Sequence, residues 1–528
     1  MRFCKDYENG IRKTYLLHGV TGSGKTEVYM EMIQSVVDKG KQAIVLIPEI
    51  ALTYQTVMRF YRRFKDRVSV MNSRLSAGER YDQMMRAKAG EVDVMIGPRS
   101  ALFTPFPNLG LIVIDEEHEP TYKSEQIPRY HARETAVERA NLEGASVVLG
   151  SATPSLEAFY RAQKGEYELL RLQNRAKMQE MPTVYTIDLR EELKSGNRSI
   201  ISGKLHELMA DRLRKRQQIM LFINRRGFAG FISCRSCGYV VKCPHCDVSL
   251  ASHRGGKLVC HYCGYEEPMI SVCPSCGSKH IGGFRAGTQQ IEELVKKEFP
   301  DARVLRMDMD TTKEKGGHEK ILEAFANEEA DILIGTQMIV KGHDFPNVTL
   351  VGVLAADLSL YADDYRAGER TFQLLTQAAG RAGRGSEKGE VVIQTYSPEH
   401  YSIETAAKQD YEAFYPEELA YRTMMGYPPV EQLAAILVTS EDESLLETAC
   451  SYMKSYAERM NRSQVRIIGP ASPYVGKVND VYRRVIYLKH ARYEAMIDLK
   501  NKLEQYIEIN SGFRKVRVQF DFNPMNVF

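Results

Sequence analysis

The chain has 528 residues, 43% hydrophobic and 26% charged, with a net charge of +3, proportions that build buried cores and exclude a low-complexity or disordered polymer. No apolar run approaches the roughly 20 residues of a bilayer span, and the opening "MRFCKDYENG" lacks the apolar stretch of a secretory signal, so a cytoplasmic chain of about three or four domains, with no membrane partner, is expected. The small net charge leaves nucleic-acid contact to local basic runs, of which "RFYRRFKDR" (59–67), "RLRKR" (212–216) and "NRRGF" (224–228) are candidates, each also readable as a solvated helix face.

In chain order, "TYLLHG" is a short apolar strand and "TEVYMEMIQSVV" has helical spacing. Between them Gly19, Val20, Thr21, Gly22, Ser23, Gly24, Lys25 and Thr26 fit the Gly-x-x-x-x-Gly-Lys-Ser/Thr phosphate loop. The glycines let backbone N–H groups curl round phosphates, Lys25 reaches the β- and γ-phosphates of ATP, and Thr26 can ligate Mg²⁺. Strands follow at "QAIVLIPE", "VSVMN", "VDVMIG", "LGLIVIDEEHE" and "ASVVLGSATPS", separated by helical patterns, so residues 1–190 read as one parallel α/β lobe. The fifth of its strands ends in Asp115, Glu116, Glu117 and His118, a Walker-B pattern: Asp115 holds Mg²⁺ through its water shell and Glu116 orients and deprotonates the attacking water. The Ser151 to Thr153 turn is a candidate relay to a second lobe.

That second lobe is expected at 191–232 and 284–428, from "QQIMLFINRRGF", "ARVLRMD", "ADILIGTQ", "VTLVGVLAAD" and "GEVVIQTY". It is interrupted at 233–283 by eight of the ten cysteines, arranged as Cys234/Cys237, Cys243/Cys246, Cys260/Cys263 and Cys273/Cys276. Four thiolates complete one tetrahedral Zn²⁺ site, so eight argue for two structural zincs. His245 and His261 read as neighbours of the ligands, and Cys4 and Cys450 as free thiols. In "LLTQAAGRAGRG", Gln377, Arg381 and Arg384 follow at helical spacings and can face one cleft, where arginine stabilises transition-state charge on the γ-phosphate. Residues 429–528 form a smaller α+β segment. The fold class is α/β: two tandem parallel-sheet lobes sharing one phosphate loop, a Cys-rich two-zinc insertion and a small α+β C-terminal domain, the plan of a motor.

The ordered set "GVTGSGKTEVY", "LIPEIALT", "GPRSALFTP", "DEEHEPTYK", "PRYHARE", "GSATPS", "NRRGF", "GTQMIVKGHDFPNV" and "QAAGRAGRG", with the cysteines after Arg225 and Arg226, resembles the bacterial replication-restart (primosomal) DNA helicases nearly end to end. The resemblance implies two RecA-like superfamily 2 lobes that move 3′→5′ along single-stranded DNA, unwind stalled or branched forks and initiate primosome assembly. It assigns Arg381 and Arg384 as arginine fingers, residues 48–53 and 98–100 as phosphate-tracking segments, and the loop from Tyr122 through Tyr130, His131 and Arg133 as an aromatic-rich loop coupling strand binding to hydrolysis. It pairs Cys234, Cys237, Cys273 and Cys276 round one zinc, and Cys243, Cys246, Cys260 and Cys263 round the other. The partners it implies are forked DNA, the C-terminal tail of single-stranded-DNA-binding protein (SSB), with Arg483, Arg484, Lys489 and Arg492 as possible anchors, and primosome and helicase-loader proteins, in a nucleoid-associated setting. Such helicases carry a DNA-end-binding domain, a winged helix and an adenine-reading Gln segment ahead of the core, and this chain is expected to be truncated of all three. Other classes stay open: an RNA-directed superfamily 2 translocase, a zinc-dependent scaffold without turnover, and, more remotely, a P-loop kinase.

Overall fold

A computed structural model describes residues 2–175, 181–224, 231–253, 256–283, 287–308, 310–312, 317–339, 345–383, 385 and 387–525. They divide into two compact units, Met1–Pro182 with Val340–Pro346 and Gly383–Lys388, and Thr183–Ile339 with Asn347–Ala382 and Gly389–Phe528. Among the described residues no helix is long and apolar enough to cross a membrane.

The first unit is a seven-stranded sheet built from β1 (Thr14–Gly19), β2 (Gln42–Leu46), β3 (Val68–Val70), β4 (Val94–Gly97), β5 (Leu109–Asp115), β6 (Ser146–Ser151) and β7 (Glu168–Leu172), in spatial order β3-β4-β2-β5-β6-β1-β7. Every pairing is parallel. The central strands are continuous apolar runs because helices cover both faces; Leu17, Val45, Val113 and Val148 pack with Met32, Ile33 and Val36 of the helix Lys25–Val37. The short helix Arg2–Glu8 adds Phe3 and Tyr7 to that core, and Tyr15 donates to Asp6 at 2.9 Å. The helix Arg2–Glu8 is thus packed onto this lobe through one face. Caps set several helix starts: Thr53, Ser76 with Glu79 as a reciprocal capping box, and Ser155.

In the second unit β8 (Thr183–Asp188) pairs in register with the strand Glu390–Thr395. Residues 183–188, expected in the first lobe, therefore belong to the second sheet, where the half-buried run "TVYTID" forms the edge strand, and 189–190 continue into the helix Leu189–Lys194. β9 (Gln218–Ile223) leads into the cysteine segment, which contains β10 (Ile232–Cys234), β11 (Ala251–His253), β12 (Lys257–Val259), β13 (Glu266–Pro268) and β14 (Ile281–Gly283). β10 pairs with β14, closing the insertion at its neck, while β11, β12 and β13 form a small antiparallel sheet. The chain returns with β15 (Val304–Met307), β16 (Ile332–Gly335), β17 (Val348–Leu354) and β18 (Glu390–Thr395), giving the parallel order β15-β16-β9-β17-β18-β8.

The C-terminal segment is an antiparallel sheet, β19 (Gln432–Ser440), β20 (Arg466–Ala471), β21 (Lys477–Val478), β22 (Val481–His490) and β23 (Arg517–Phe522), ordered β20-β22-β19-β23 with β21 on β22. Helices Glu443–Met460 and Tyr493–Ile509 cover one face through Leu446, Met453, Met496 and Leu503. The other face is covered by the Cys-rich insertion: Leu433, Ala435, Val485 and Tyr487 share a core with Val248, Leu258 and Tyr262. Tyr262 stacks on Tyr487 at 5.0 Å, and the Tyr427 hydroxyl donates to the Cys246 carbonyl at 3.1 Å.

Candidate active site and metal centres

The phosphate loop leaves β1 at the C-terminal edge of the first sheet, where ligands of open parallel sheets collect. Gly22 and Gly24 have φ of 80° and 84°, the left-handed region that glycine enters without strain, and Gly24 starts the helix Lys25–Val37. Val20, Thr21 and Ser23 complete the curl, with the Ser23 N–H donating to the Val20 carbonyl at 3.0 Å and the Val20 N–H to the Leu172 carbonyl at 3.2 Å. Lys25 Nζ donates to the Gly19 carbonyl at 3.0 Å, while the Ser23 hydroxyl is buried without a hydrogen-bond partner among the described residues. A helix N-terminus, an ammonium resting on a backbone carbonyl and an orphaned hydroxyl form a donor set that fits a polyphosphate. Thr26 lies in the first turn, where its hydroxyl can ligate Mg²⁺.

β5 delivers Asp115 to the same edge, two strands from β1. Glu116 follows with φ of 48°, so the chain turns sharply at the end of the strand. Burial raises the Asp115 carboxyl to about 6, helped by the neighbouring Glu116 charge and opposed by Lys25 and by a hydrogen bond from Tyr29. That bond, Tyr29 Oη to Asp115 Oδ1 at 3.0 Å, comes from the helix of the phosphate loop. Tyr29 was legible in the sequence only as one apolar position of that helix.

The rest of the Asp-Glu-Glu-His run ties the site to the Ser-Ala-Thr turn. His118 Nδ1 lies 2.7 Å from Ser151 Oγ, which accepts the Thr153 N–H at 2.9 Å. Glu117 is fully buried and accepts from the Ser155 N–H at 2.6 Å, the Ser155 hydroxyl at 2.9 Å and Arg133 Nη1 at 3.2 Å. A carboxylate with three donors is satisfied where an unpaired one would be costly.

These contacts change the expected role of the aromatic-rich loop. Tyr122 is buried, its hydroxyl 2.7 Å from the Asp115 carbonyl and 3.0 Å from that of Leu46, so its ring cannot stack on a base. Arg133 is buried against Glu117, and His131 Nδ1 caps the helix Ala132–Glu143 by accepting the Arg133 N–H at 3.2 Å, with burial holding its ring down at about 3. The half-buried Tyr130 meets Phe103 edge-on at 5.1 Å, and Ile127 is exposed. Of the segments 48–53 and 98–100, each follows a sheet strand: Thr53 caps the helix Tyr54–Phe64, and Arg99 Nη1 donates to the Thr121 carbonyl at 2.8 Å.

The basic runs are largely occupied by ion pairs. Arg63 meets Glu31 at 2.8 Å, Arg67 pairs with Asp93, Arg212 with Glu390, and Lys215 with Asp211 at 2.8 Å. Arg225 and Arg226 lie outside the described residues, as does Arg384. In the second unit Gln377 lies half-buried in the helix Ala367–Ala379, and Arg381 is half-buried just beyond its end. Of the four basic residues expected to anchor an acidic tail, Lys489 is buried with its ammonium 3.4 Å from the Tyr427 ring centre, and burial lowers it to about 8. Arg484 pairs with Glu443 and Glu447, Arg483 is half-buried, and Arg492 is exposed.

The cysteines gather in two groups, Cys234, Cys237, Cys273 and Cys276, and Cys243, Cys246, Cys260 and Cys263, with the sulfurs of each within 4.8 Å of one another. Separations of 3.7 Å (Cys234 to Cys276), 3.6 Å (Cys237 to Cys273) and 3.6 Å (Cys243 to Cys263) far exceed a disulfide and approach the ~3.8 Å tetrahedral edge that Zn–S bonds of about 2.3 Å require. The same turn recurs four times: the first cysteine's carbonyl accepts the N–H four residues on, from Gly238, Asp247, Gly264 and Gly277, all at positive φ. His261 is buried, with Nδ1 2.8 Å from the Ser472 carbonyl and Nε2 3.1 Å from His253 Nε2, and it belongs to neither sulfur cluster.

Compared with known families, residues 5–161 match the DEAD/DEAH box helicase model, 278–386 the helicase conserved C-terminal domain, 243–268 the PriA DNA helicase Cys-rich region domain, and 423–525 the primosomal protein N C-terminal domain. Replication restart protein PriA of Bacillus subtilis is 49% identical over 513 residues, 97% of this chain and 64% of that protein. Its counterpart in Synechocystis is 44% identical over 522 residues, 97% of this chain and 62% of that protein. The Haemophilus influenzae protein of the same name is 40% identical over 519 residues, 97% of this chain and 70% of that protein. The chain thus spans a little under two thirds of the first two relatives' length.

Proposed function

The chain belongs to the PriA family of replication-restart proteins, and from that premise we propose that it is the motor of an ATP-dependent DNA helicase. It acts at stalled or branched forks, moves 3′→5′ and initiates primosome assembly. The observation that carries the reading is the hydrogen-bonded set at one sheet edge, in which the phosphate-loop helix holds Asp115 and His118 holds the Ser-Ala-Thr turn. Bound Mg-ATP supplies the phosphoanhydride energy. Residues 22–26 wrap the phosphates with N–H groups, and Lys25 exchanges the Gly19 carbonyl for phosphate oxygens. Thr26 would ligate Mg²⁺, Asp115 would hold it through its water shell, and Glu116 would orient the attacking water and take its proton. His118, Ser151 and Thr153 pass the change at the hydrolysis site to the turn after β6. Gln377, Arg381 and Arg384 supply the sensing and arginine-finger charges, and the two zinc clusters are structural. Single-stranded and forked DNA, the SSB tail and helicase-loader proteins are the partners this reading names.

The test is ATP hydrolysis by the chain and by Lys25→Ala, without nucleic acid and then with single-stranded DNA, forked DNA and RNA. Lys25-dependent stimulation by DNA supports the motor. Stronger stimulation by RNA favours an RNA translocase, and no turnover with tight fork binding favours a scaffold.

A further inference from the structure

We propose that Tyr29 is a positioning residue for the Walker-B carboxylate, its phenol O–H holding one oxygen of Asp115 so that the group keeps the orientation that serves the metal's water shell. This rests on the ATPase reading above. Tyr29 lies one helical turn beyond Lys25 and Thr26 and is almost fully buried. Its hydroxyl reaches Asp115 Oδ1 at 3.0 Å across 86 residues of sequence, joining the phosphate-loop helix to the end of β5. Room for the phenol comes from Gly150 in β6, which lies opposite Asp115 in the sheet register. A Cβ at position 150 would lie 1.6 Å from the phenol oxygen, so any side chain there would displace the hydroxyl from Asp115.

Asp115 is the last residue of its strand, and the chain turns there through the left-handed Glu116, whose backbone N–H also donates to the carboxylate; the Tyr29 phenol is the side-chain donor that reaches it. Its main chain is held from the opposite side, by the Tyr122 hydroxyl 2.7 Å from the Asp115 carbonyl. The phenol is a donor at neutral pH, where an ordinary tyrosine is protonated, and the 3.0 Å contact aims its O–H at the carboxylate. Phenylalanine would fill the same space and pack equally well, so the hydroxyl is what ring packing alone leaves unexplained.

The experiment compares the full chain with Tyr29→Phe, in wild-type and Asp115→Asn backgrounds, by calorimetric ATP binding over a Mg²⁺ titration and by steady-state hydrolysis. Zinc content should stay at the wild-type value, and metal-free ATP affinity should be unchanged. The Mg²⁺ concentration for half-maximal binding should rise and kcat should fall by about tenfold, the scale of one lost hydrogen bond to a charged group, while KM at saturating Mg²⁺ moves far less. In the Asp115→Asn background the same change should add nothing to the Mg²⁺ requirement. An unaltered Mg²⁺ dependence, or an equal shift in both backgrounds, overturns the proposal. If Tyr29→Phe melts early, the Mg²⁺ titration repeated well below its melting transition must still show the shift in the wild-type background and none in Asp115→Asn, or the proposal falls. Absence of Lys25-dependent nucleotide binding in the wild-type chain rejects the ATP reading itself; intact Mg-nucleotide binding with no effect of Tyr29→Phe rejects only the role of Tyr29.

Discussion

Replacing Arg133 separates the strand-tracking role expected from its place in the loop from the buried ion-pair role that its contacts give it. Its guanidinium is 8% exposed and lies 3.2 Å from the fully buried Glu117, and it also donates to Ser155 Oγ at 2.6 Å and Glu134 at 3.0 Å. Arg133→Met keeps much of the volume and removes the charge, leaving Glu117 ionised in the interior. Removing one partner of a buried pair costs about 3–5 kcal/mol. The lower end applies, because the Ser155 N–H and hydroxyl still serve the carboxylate. A loss of about 3 kcal/mol in a lobe of this size lowers its melting temperature by about 6–12 °C. The chain contains no tryptophan, so unfolding is best followed by far-ultraviolet circular dichroism. Adding Glu117→Gln removes the stranded charge and should restore part of the loss, a coupling that a double-mutant cycle measures. A phosphate-tracking arginine behaves otherwise: its removal leaves stability intact and reduces the salt dependence of single-stranded DNA binding by about 0.7 in log–log slope. Unchanged melting together with that reduced slope would refute the structural role assigned to Arg133.

Cys260 is fully buried among the inner zinc sulfurs, next to Tyr262 in the core shared with the C-terminal sheet. Cys260→Ser should halve the zinc released on thiol modification and destabilise residues 432–522 to hydrogen exchange, whereas Cys276→Ser, at an exposed outer position, should halve the zinc with little effect there. Asp115 gives a pH test. Its carboxyl is raised from 3.8 to about 6, so between those values the native state holds more protons than the unfolded chain and stability falls as pH rises. Asp115→Asn removes the ionisation, so by urea titration its stability relative to wild type should be higher at pH 7 than at pH 3.5. A pH-independent difference would contradict the burial cost assigned to this carboxylate.

Local pattern was enough for much of this protein. The phosphate loop, the Asp-Glu-Glu-His run and the four Cys-x-x-Cys pairs are legible because each needs particular residue types at short fixed spacings. Most parallel strands are legible because burial on both faces writes a continuous apolar run. The edge strand Thr183–Asp188 was not, since a half-buried edge leaves only a short mixed run, and its sheet is decided by pairing with residues some two hundred positions away. The roles of individual polar residues also had to await tertiary structure. Tyr122, Arg133 and Lys489 carry the chemistry of nucleic-acid or acidic-tail contacts, yet each is turned inward to a carbonyl, a carboxylate or a ring. Asp247 takes the left-handed position that Gly238, Gly264 and Gly277 fill in the other knuckles, so composition alone marked only three of the four turns. The sequence by itself determined which chemistries the chain can hold, because donors, acceptors and thiols are properties of residue type. Only the tertiary structure decided which of them face solvent or a ligand, because burial and partnership depend on contacts such as Tyr29 to Asp115 and Glu117 to Ser155, which join distant parts of the chain.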